Sequence, residues 1–262
     1  TVLIGNIRSK PTGTRAYTRL GMIWDAGFQM GCPDRIMVPE PIGFFPDGGL
    51  WLQRKVPGRV SSDLLPTEKG VDLVQQIASA SHKLHQANIS TTRTHTMSDE
   101  LRILHEKLLL VSQQEKSFSG AIDRILEASA KLGSSVENSF PAGIHRDFYS
   151  DQVIVDDKDL YIIDFDLFCE GDPGLDIGNF IGHITEQSLR VLGDPKALLD
   201  REEAMEEAFV ACSGEKVRAA VKAYATLTLV RHIYISTLIK ERRPFTGALI
   251  ELCKDRLNIT SG

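Results

Sequence analysis

The chain has 262 residues, enough for one large domain or two modest lobes around a proper core. Its 42% hydrophobic and 25% charged content is that of a globular protein, and no run nears the ~20 apolar residues needed to cross a bilayer. A net charge of −5 speaks against nucleic acid as partner, which calls for a basic excess.

The four cysteines are scattered and form no C-x-x-C pair, which fits neither a zinc site nor a disulfide framework. With no signal-peptide pattern at the start, a cytoplasmic location is the expectation. The chain opens on Thr1 rather than Met with a strand already under way, so residues upstream are expected.

In chain order, residues 2–8 read as a strand, followed by a polar turn with Pro11 and Gly13. In TRAYTRLGMIWDAGF, Tyr17, Leu20, Ile23 and Trp24 recur at three- and four-residue spacing, which predicts a helix stopped by Gly27. MVPEPIGFFPDGGLWLQRKVPG predicts two strands about a turn at 46–49, closed by Pro57 and Gly58. Beyond Gly58 long helices take over. Residues 67–86 carry a stripe at Val71, Val74, Ile77, Ala78 and Leu84, and helices at 99–111 and 120–132 follow a Thr-rich loop at 90–98. Helices return at 173–190, 201–212, 215–241 and 246–257. This layout predicts an α+β chain: a small α/β lobe over 1–57, a connector at 52–58, and a larger, mainly helical lobe over 58–262 carrying one isolated hairpin.

That hairpin lies in GIHRDFYSDQVIVDDKDLYIIDFD, residues 143–166. Strands at 152–155 and 160–164 around a DDKD turn bring Asp147 and Asp164 to one end, with Gln152 nearby. Two carboxylates and an amide oxygen suit a hard cation such as Mg2+. Without a cation the carboxylates repel, and one pKa rises. Asp156, Asp157 and Asp159 read as solvated turn residues, and His145 as a hydrogen-bonded core histidine, because no second His or Cys stands at metal spacing. Asp164 follows YII and ends what reads as a buried strand, so it calls for a partner. On the residues alone, a metal-assisted site and a polar loop between ordinary strands both remain open.

HRDFYSDQVIV and YIIDFDLFCEGDPGLDIGNFIGHI together resemble the catalytic core of the aminoglycoside phosphotransferase and choline kinase family, which has the protein-kinase-like fold. The shared pattern is H-x-D, an amide side chain five residues on, a strand ending in I-D, then G-D-P-x-x-D. LWLQRKVPG is similar to the family's interlobe hinge, and IASASHKLHQANI to its first large-lobe helix. The resemblance implies a two-lobed kinase-like fold, and it implies roles. Asp147 would be the base or orienting carboxylate for the attacking hydroxyl, and Asp164 would hold Mg2+. Gln152 stands where the family usually has Asn; it would be a metal ligand with longer reach, or a residue behind the ligands. Asp166 would meet a second ion or the substrate, or be exposed. His145 and Asp176 would support the catalytic loop. Backbone groups around Gln53, Arg54 and Lys55 would pair with the adenine edge. The implied chemistry is in-line transfer of the γ-phosphoryl group of ATP, or another nucleoside triphosphate, to a hydroxyl of a sugar, amino-alcohol or aminoglycoside-like molecule.

The small lobe departs from that pattern. No Gly-rich loop is visible from Thr1 onward, its place falling upstream if the start is truncated, and the place of the phosphate-binding Lys falls on Asn6. Arg8 and Lys10 share its strand parity, and Arg8 is the candidate for the phosphates. The place of the helix Glu falls near Ala16. Two functions follow: a small-molecule kinase, or a kinase-fold binding module with little or no transfer. On the acceptor the clues oppose. Glu202, Glu203, Glu206 and Glu207 would draw a polyamine or form a solvated helix face whose first turn complements the dipole, whereas Arg231, His232 and Arg242 would suit an anion.

Overall fold

The computed structural model describes residues 2–7, 10–137 and 140–259. Arg8 lies outside the described residues. Strand β1 (Leu3–Ile7) leads into helix α1 (Lys10–Asp25). The expected polar turn is thus the first turn of the helix, where Pro11 is tolerated because N–H groups there have no helical partner. Lys10 therefore belongs to the helix, which corrects the reading that the strand might carry it inward. After β2 (Ile36–Met37), β3 (Pro41–Phe45) and β4 (Leu50–Arg54) form the expected pair across a 3-10 turn at Pro46–Gly48.

These strands form an antiparallel sheet of order β1-β4-β3, with Asn6 opposite Trp51 and Trp51 opposite Phe44. Helix α1 covers it: Leu20 and Ile23 are buried in the core with Trp51, and Tyr17 stacks on Phe44 with centroids 6.0 Å apart. This packing is why the apolar spacing of 17–24 is legible as a helix.

The chain then runs through β5 (Arg59–Val60), α2 (Gly70–Gln86), β6 (Thr94–His95), α3 (Met97–Gln114), α4 (Ser119–Ser134) and β7 (Ala142–Ile144). The hairpin is β8 (Val153–Asp156) and β9 (Asp159–Ile162), joined by a two-residue turn with Asp157 at φ 54°. It is not isolated, as the sequence implied. The chain adds β2 parallel to β9 and β5 antiparallel to β8, giving a four-stranded sheet of order β2-β9-β8-β5. A lone two-stranded hairpin is marginal in water, and the flanking strands supply what it lacks. Gly58 makes the junction possible: at φ 106° a Cβ there would stand 2.2 Å from the Val155 carbonyl oxygen.

A third small sheet joins β10 (Cys169–Gly171) to β6 and β7. Helix α5 (Gly174–Gln187) runs through the middle of the helical part, followed by α6 (Leu199–Ser213), α7 (Arg218–Leu238) and α8 (Thr246–Arg256). Helices α5 and α7 approach closely through Gly174, Gly178 and Gly182, and a Cβ at Gly178 would lie 2.5 Å from the Tyr224 Cβ. None of the helices among the described residues is long and apolar enough to cross a membrane.

Candidate active site

The loop after β7 is held by α5. Asp176, fully buried, accepts from the backbone N–H of His145 at 2.8 Å and of Arg146 at 2.7 Å, and from Nε2 of His85 at 2.8 Å. One helical turn on, Asn179 Nδ2 donates to the Phe148 carbonyl at 2.9 Å, while its Oδ1 accepts from Thr228 at 3.2 Å and from Arg231. Spacing of three along α5 puts both side chains on one face, so the helix fixes both ends of the segment that carries Asp147. His145 is buried and donates Nε2–H to the Ile163 carbonyl at 2.8 Å, tying the loop to the segment after β9. Its ring packs between Phe148 and Phe165, with centroids 5.5 and 5.0 Å away.

Strand β9 stops at Ile162, and Asp164 stands beyond it, exposed and at φ 61°. The expectation that it closes a buried strand and needs a partner is thereby corrected: solvent reaches it. Arg146 is likewise left-handed, at φ 72°. Such residues cost of order 1–3 kcal/mol each and persist where the surroundings hold them, as Asp176 holds Arg146. Asp164 Oδ1 accepts from the Asp166 N–H at 3.3 Å. Two arginines grip this segment from outside the motif. Arg19 on α1 donates to the carbonyls of Phe165 and, at 3.0 Å, Asp166, and Arg93 donates to the Asp166 carbonyl at 2.7 Å.

Two cavities divide the expected site. One, of about 210 Å³, is lined by Gln152, Asp164 and Asp166 together with Asn6, Ala16, Trp51 and Gln53. The departures at Asn6 and Ala16 thus fall in the same cleft as the acids. The Asn6 Nδ2 and Trp51 Nε1 donors are buried and lack partners among the described residues. The other cavity, of about 470 Å³, is lined by Asp147, Tyr149 and Asp151, by His183, Glu186 and Arg190 of α5 and its continuation, and by Arg231, His232 and Arg242. Asp147 and Asp164 therefore line neighbouring spaces rather than one. Tyr149 lies within the field of both: burial raises its phenol pKa, and Asp147, Asp151 and Asp164 raise it further, while a hydrogen bond with Gln152 lowers it. No group of three or more His, Cys, Asp or Glu among the described residues forms a metal cluster.

Arg54 and Lys55 do not line either cavity. Arg54 pairs with Glu40 at 2.5 Å, and the N–H groups of Arg54 and Lys55 donate to the carbonyls of Glu40 and Val2 at 2.9 and 3.0 Å. Those two backbone donors are thus engaged within the protein, and Gln53 alone of the three reaches the cleft. Three of the four acids of α6 are engaged within the protein. Glu202 is buried against Thr185 and Arg256, and Glu206 and Glu207 pair with Arg218 at 2.7 and 2.6 Å. None of the four lines the cavity of Asp147. The sequence reading missed Arg19, Arg93, Asn179, His183 and Arg190. Only their positions in the fold assign them, although DIGNF following GDPGL marked the helix that carries Asn179.

A family model described as the phosphotransferase enzyme family matches residues 28–207. No curated protein matches the sequence. Among solved structures, glucosamine kinase in complex with glucosamine, ADP and inorganic phosphate superposes with a TM-score of 0.70 at 15% identity, covering 97% of this chain and 78% of that one. A choline/ethanolamine kinase family protein from Mesorhizobium loti gives 0.68 at 15% identity over 99% and 83% of the two chains. The aminoglycoside phosphotransferase APH(4)-Ia gives 0.67 at 16% identity over 99% and 87%. These likenesses are of fold, a small sheet lobe against a larger helical part, and the family match spans more than half of the chain. The chain belongs to the phosphotransferase enzyme family.

Proposed function

We propose that the protein transfers the γ-phosphoryl group of ATP, or another nucleoside triphosphate, to a hydroxyl of a small molecule. The observation that carries this is the pair of cavities, one lined by Asp164, Gln152 and Asp166, the other by Asp147 and Tyr149, whose phenol feels the charge of both Asp147 and Asp164. At about 210 Å³ the first is smaller than the ~300–1,000 Å³ of a typical ligand pocket, and it suits the inner part of a nucleotide. We read residues 1–57 as the small lobe and 52–58 as the hinge between it and the helical lobe of 58–262. Complexes of the structural relatives with ADP support a nucleotide there.

The donor set fits Mg2+: Asp164 and Asp166 offer carboxylates and Gln152 an amide oxygen, all along one cavity. Mg2+ takes one or two protein carboxylates plus phosphates and water, so a three-acid cluster is not required. Asp164 and Gln152 would hold the ion, with Asp166 available to a second ion or to the acceptor. When bound, the ion neutralises charge on the transferring phosphoryl group. In the transfer, the acceptor oxygen forms a bond to the γ-phosphorus as the bridging P–O bond breaks, its electron pair leaving with ADP. Asp147 orients the hydroxyl and takes its proton. Asp176 and Asn179 keep the loop of Asp147 in place. Asn6 Nδ2 and Trp51 Nε1, donors without partners, face this assignment as ligands of nucleotide oxygen or nitrogen acceptors. Four free cysteines accord with a reducing, cytoplasmic setting.

A binding module without transfer is the second reading, favoured by Asn6 and Ala16, since no Lys–Glu pair lines the cleft among the described residues. Thermal shift with ATP, with and without Mg2+, joined to ATP hydrolysis by the Asp147→Asn variant, separates the two. The transferase reading expects Mg2+-dependent binding retained by the variant and turnover lowered at least ~100-fold. Binding with no Asp147-dependent turnover selects the module.

A further inference from the structure

The cavity of Asp147 carries three guanidinium groups against three carboxylates, Asp147, Asp151 and Glu186. Arg190, Arg231 and Arg242 all line it, and the carboxylate set among them is Glu186, which Arg190 grips through two bonds of 2.8 and 3.3 Å. Arg242 stands 3.8 Å from the same carboxylate. Arg231 is neutralised from behind, by Glu100 at 3.0 Å, and is engaged with Asn179. One buried carboxylate thus serves Arg190 and Arg242 together, and the Arg242 guanidinium makes no hydrogen bond among the described residues.

A second, independent feature is His232. It is 1% exposed, lines the cavity, and its Nε2 lacks a partner among the described residues. A buried ring nitrogen without a partner is unfavourable unless a ligand meets it. His183 lies edge-on to it at 4.5 Å and stacks on Tyr149 at 4.5 Å, which connects this end of the cavity to the loop of Asp147. Burial holds the His232 pKa down to about 3, and the three arginines deepen the shift. The ring is therefore neutral, and the field around it is positive. The groups that face the arginines from the other side of the cavity, Asp147 and Asp151, belong to the catalytic loop. Asp151 is bonded to Ser62 at 2.6 Å.

We propose that the phosphate acceptor is an anionic polyol, whose carboxylate or phosphate is held by Arg242, Arg190 and His232 while a hydroxyl of the same molecule lies at Asp147. The inference rests on the transferase reading of Asp147. It reverses the polarity that an acidic helix in the sequence suggests, because that helix is engaged in its own ion pairs elsewhere. A polycation entering where Arg190 and Arg242 share Glu186 would meet like charges, its attraction there limited to one carboxylate already engaged. At about 470 Å³ the space suits a single small molecule.

The test is calorimetric titration with four small polyols, gluconate and glycerol phosphate as anions, glucose as the neutral case and glucosamine as the cation, alongside ADP release from Mg-ATP. Wild-type protein is expected to bind an anion at least about tenfold more tightly than glucosamine, and Arg242→Gln to lose about tenfold for the anion and nothing for glucose. Equal or tighter binding of glucosamine overturns the proposal, as does failure of both anions to bind, or an Arg242→Gln variant with unchanged anion affinity. Anion binding without ADP release would sink the transfer reading and with it the acceptor role, leaving only an anion-binding cavity. ADP release with glucosamine but not with the anions would sink the anionic acceptor and leave the transfer reading standing.

Discussion

Asp176 carries more of the site's geometry than any residue that touches the cavities. A buried carboxylate is tolerated only where donors replace water, and here they are two consecutive loop amides and His85. Asp176→Ala would strand all three. The expected loss is about 3–5 kcal/mol. For a chain of this size, at roughly 2–4 °C per kcal/mol, the Tm measured by scanning calorimetry should fall by roughly 6–20 °C. Asp176→Asn, which keeps one oxygen acceptor, should lose less. A change under about 2 °C in the Ala variant would show that the loop holds itself. At this scale the H-x-D and I-D motifs were legible because a polar cluster inside an apolar pattern has few other uses. Arg19 was not, since its bonds go to the carbonyls of residues 165 and 166, and no side-chain pattern records a carbonyl across 146 positions.

Among the elements, the long helices could be read and the short strands could not. A helix such as α2 repeats its apolar face over several turns, so Val74, Ile77 and Leu84 announce it and are buried as expected. Strands β2, β5 and β6 have two residues each, too few for any period, and each exists because of a partner far along the chain. The hairpin therefore looked isolated when it is the centre of a sheet. The contact between α5 and α7 is similarly hidden in four-residue glycine spacing. Gly178→Ala would place a methyl 2.5 Å from the Tyr224 Cβ and 2.7 Å from the Ala225 nitrogen, and neither neighbour can swing away. Overpacking of about 1–3 kcal/mol outweighs the ~1 kcal/mol of helix propensity that Ala gains. Because α7 carries Arg231 and His232, acceptor binding should suffer more than nucleotide binding. Gly21→Ala in α1, with nothing within 4 Å, should instead raise stability by up to ~1 kcal/mol in chemical denaturation. Stabilisation by the first substitution would contradict the packing described.

For the molecule as a whole, the buried His232 and the half-buried His183 set a pH dependence. Burial and nearby arginines depress His232 to about 3, and the same causes, with His232 itself, hold His183 well below its ordinary value. Below about pH 6.5 the unfolded chain takes up protons that the folded one refuses, so their contribution to stability is complete above that pH and falls with acid. The loss for each histidine is about 1.4 kcal/mol per pH unit until the folded pKa is reached. Urea midpoints measured between pH 7 and 5 should fall accordingly, and His232→Gln should flatten the slope. A slope unchanged in that variant would place the titration elsewhere. The two-lobed α+β plan itself was legible from the change of period at Gly58. The separation of Asp147 from Asp164 into neighbouring cavities was not, because it depends on how a left-handed turn at Asp164 meets a loop fixed by α5.

The proposed transfer delivers the γ-phosphoryl group of a nucleotide held beside Asp164 to a hydroxyl at Asp147. Phosphorus NMR of the full chain with ATP, Mg2+ and the anionic polyols tests it in one spectrum. A new phosphomonoester signal growing in step with ADP, and absent with Asp147→Asn, is the predicted result. ATP that binds yet persists unchanged, or a phosphomonoester formed equally by the Asp147→Asn protein, would contradict it.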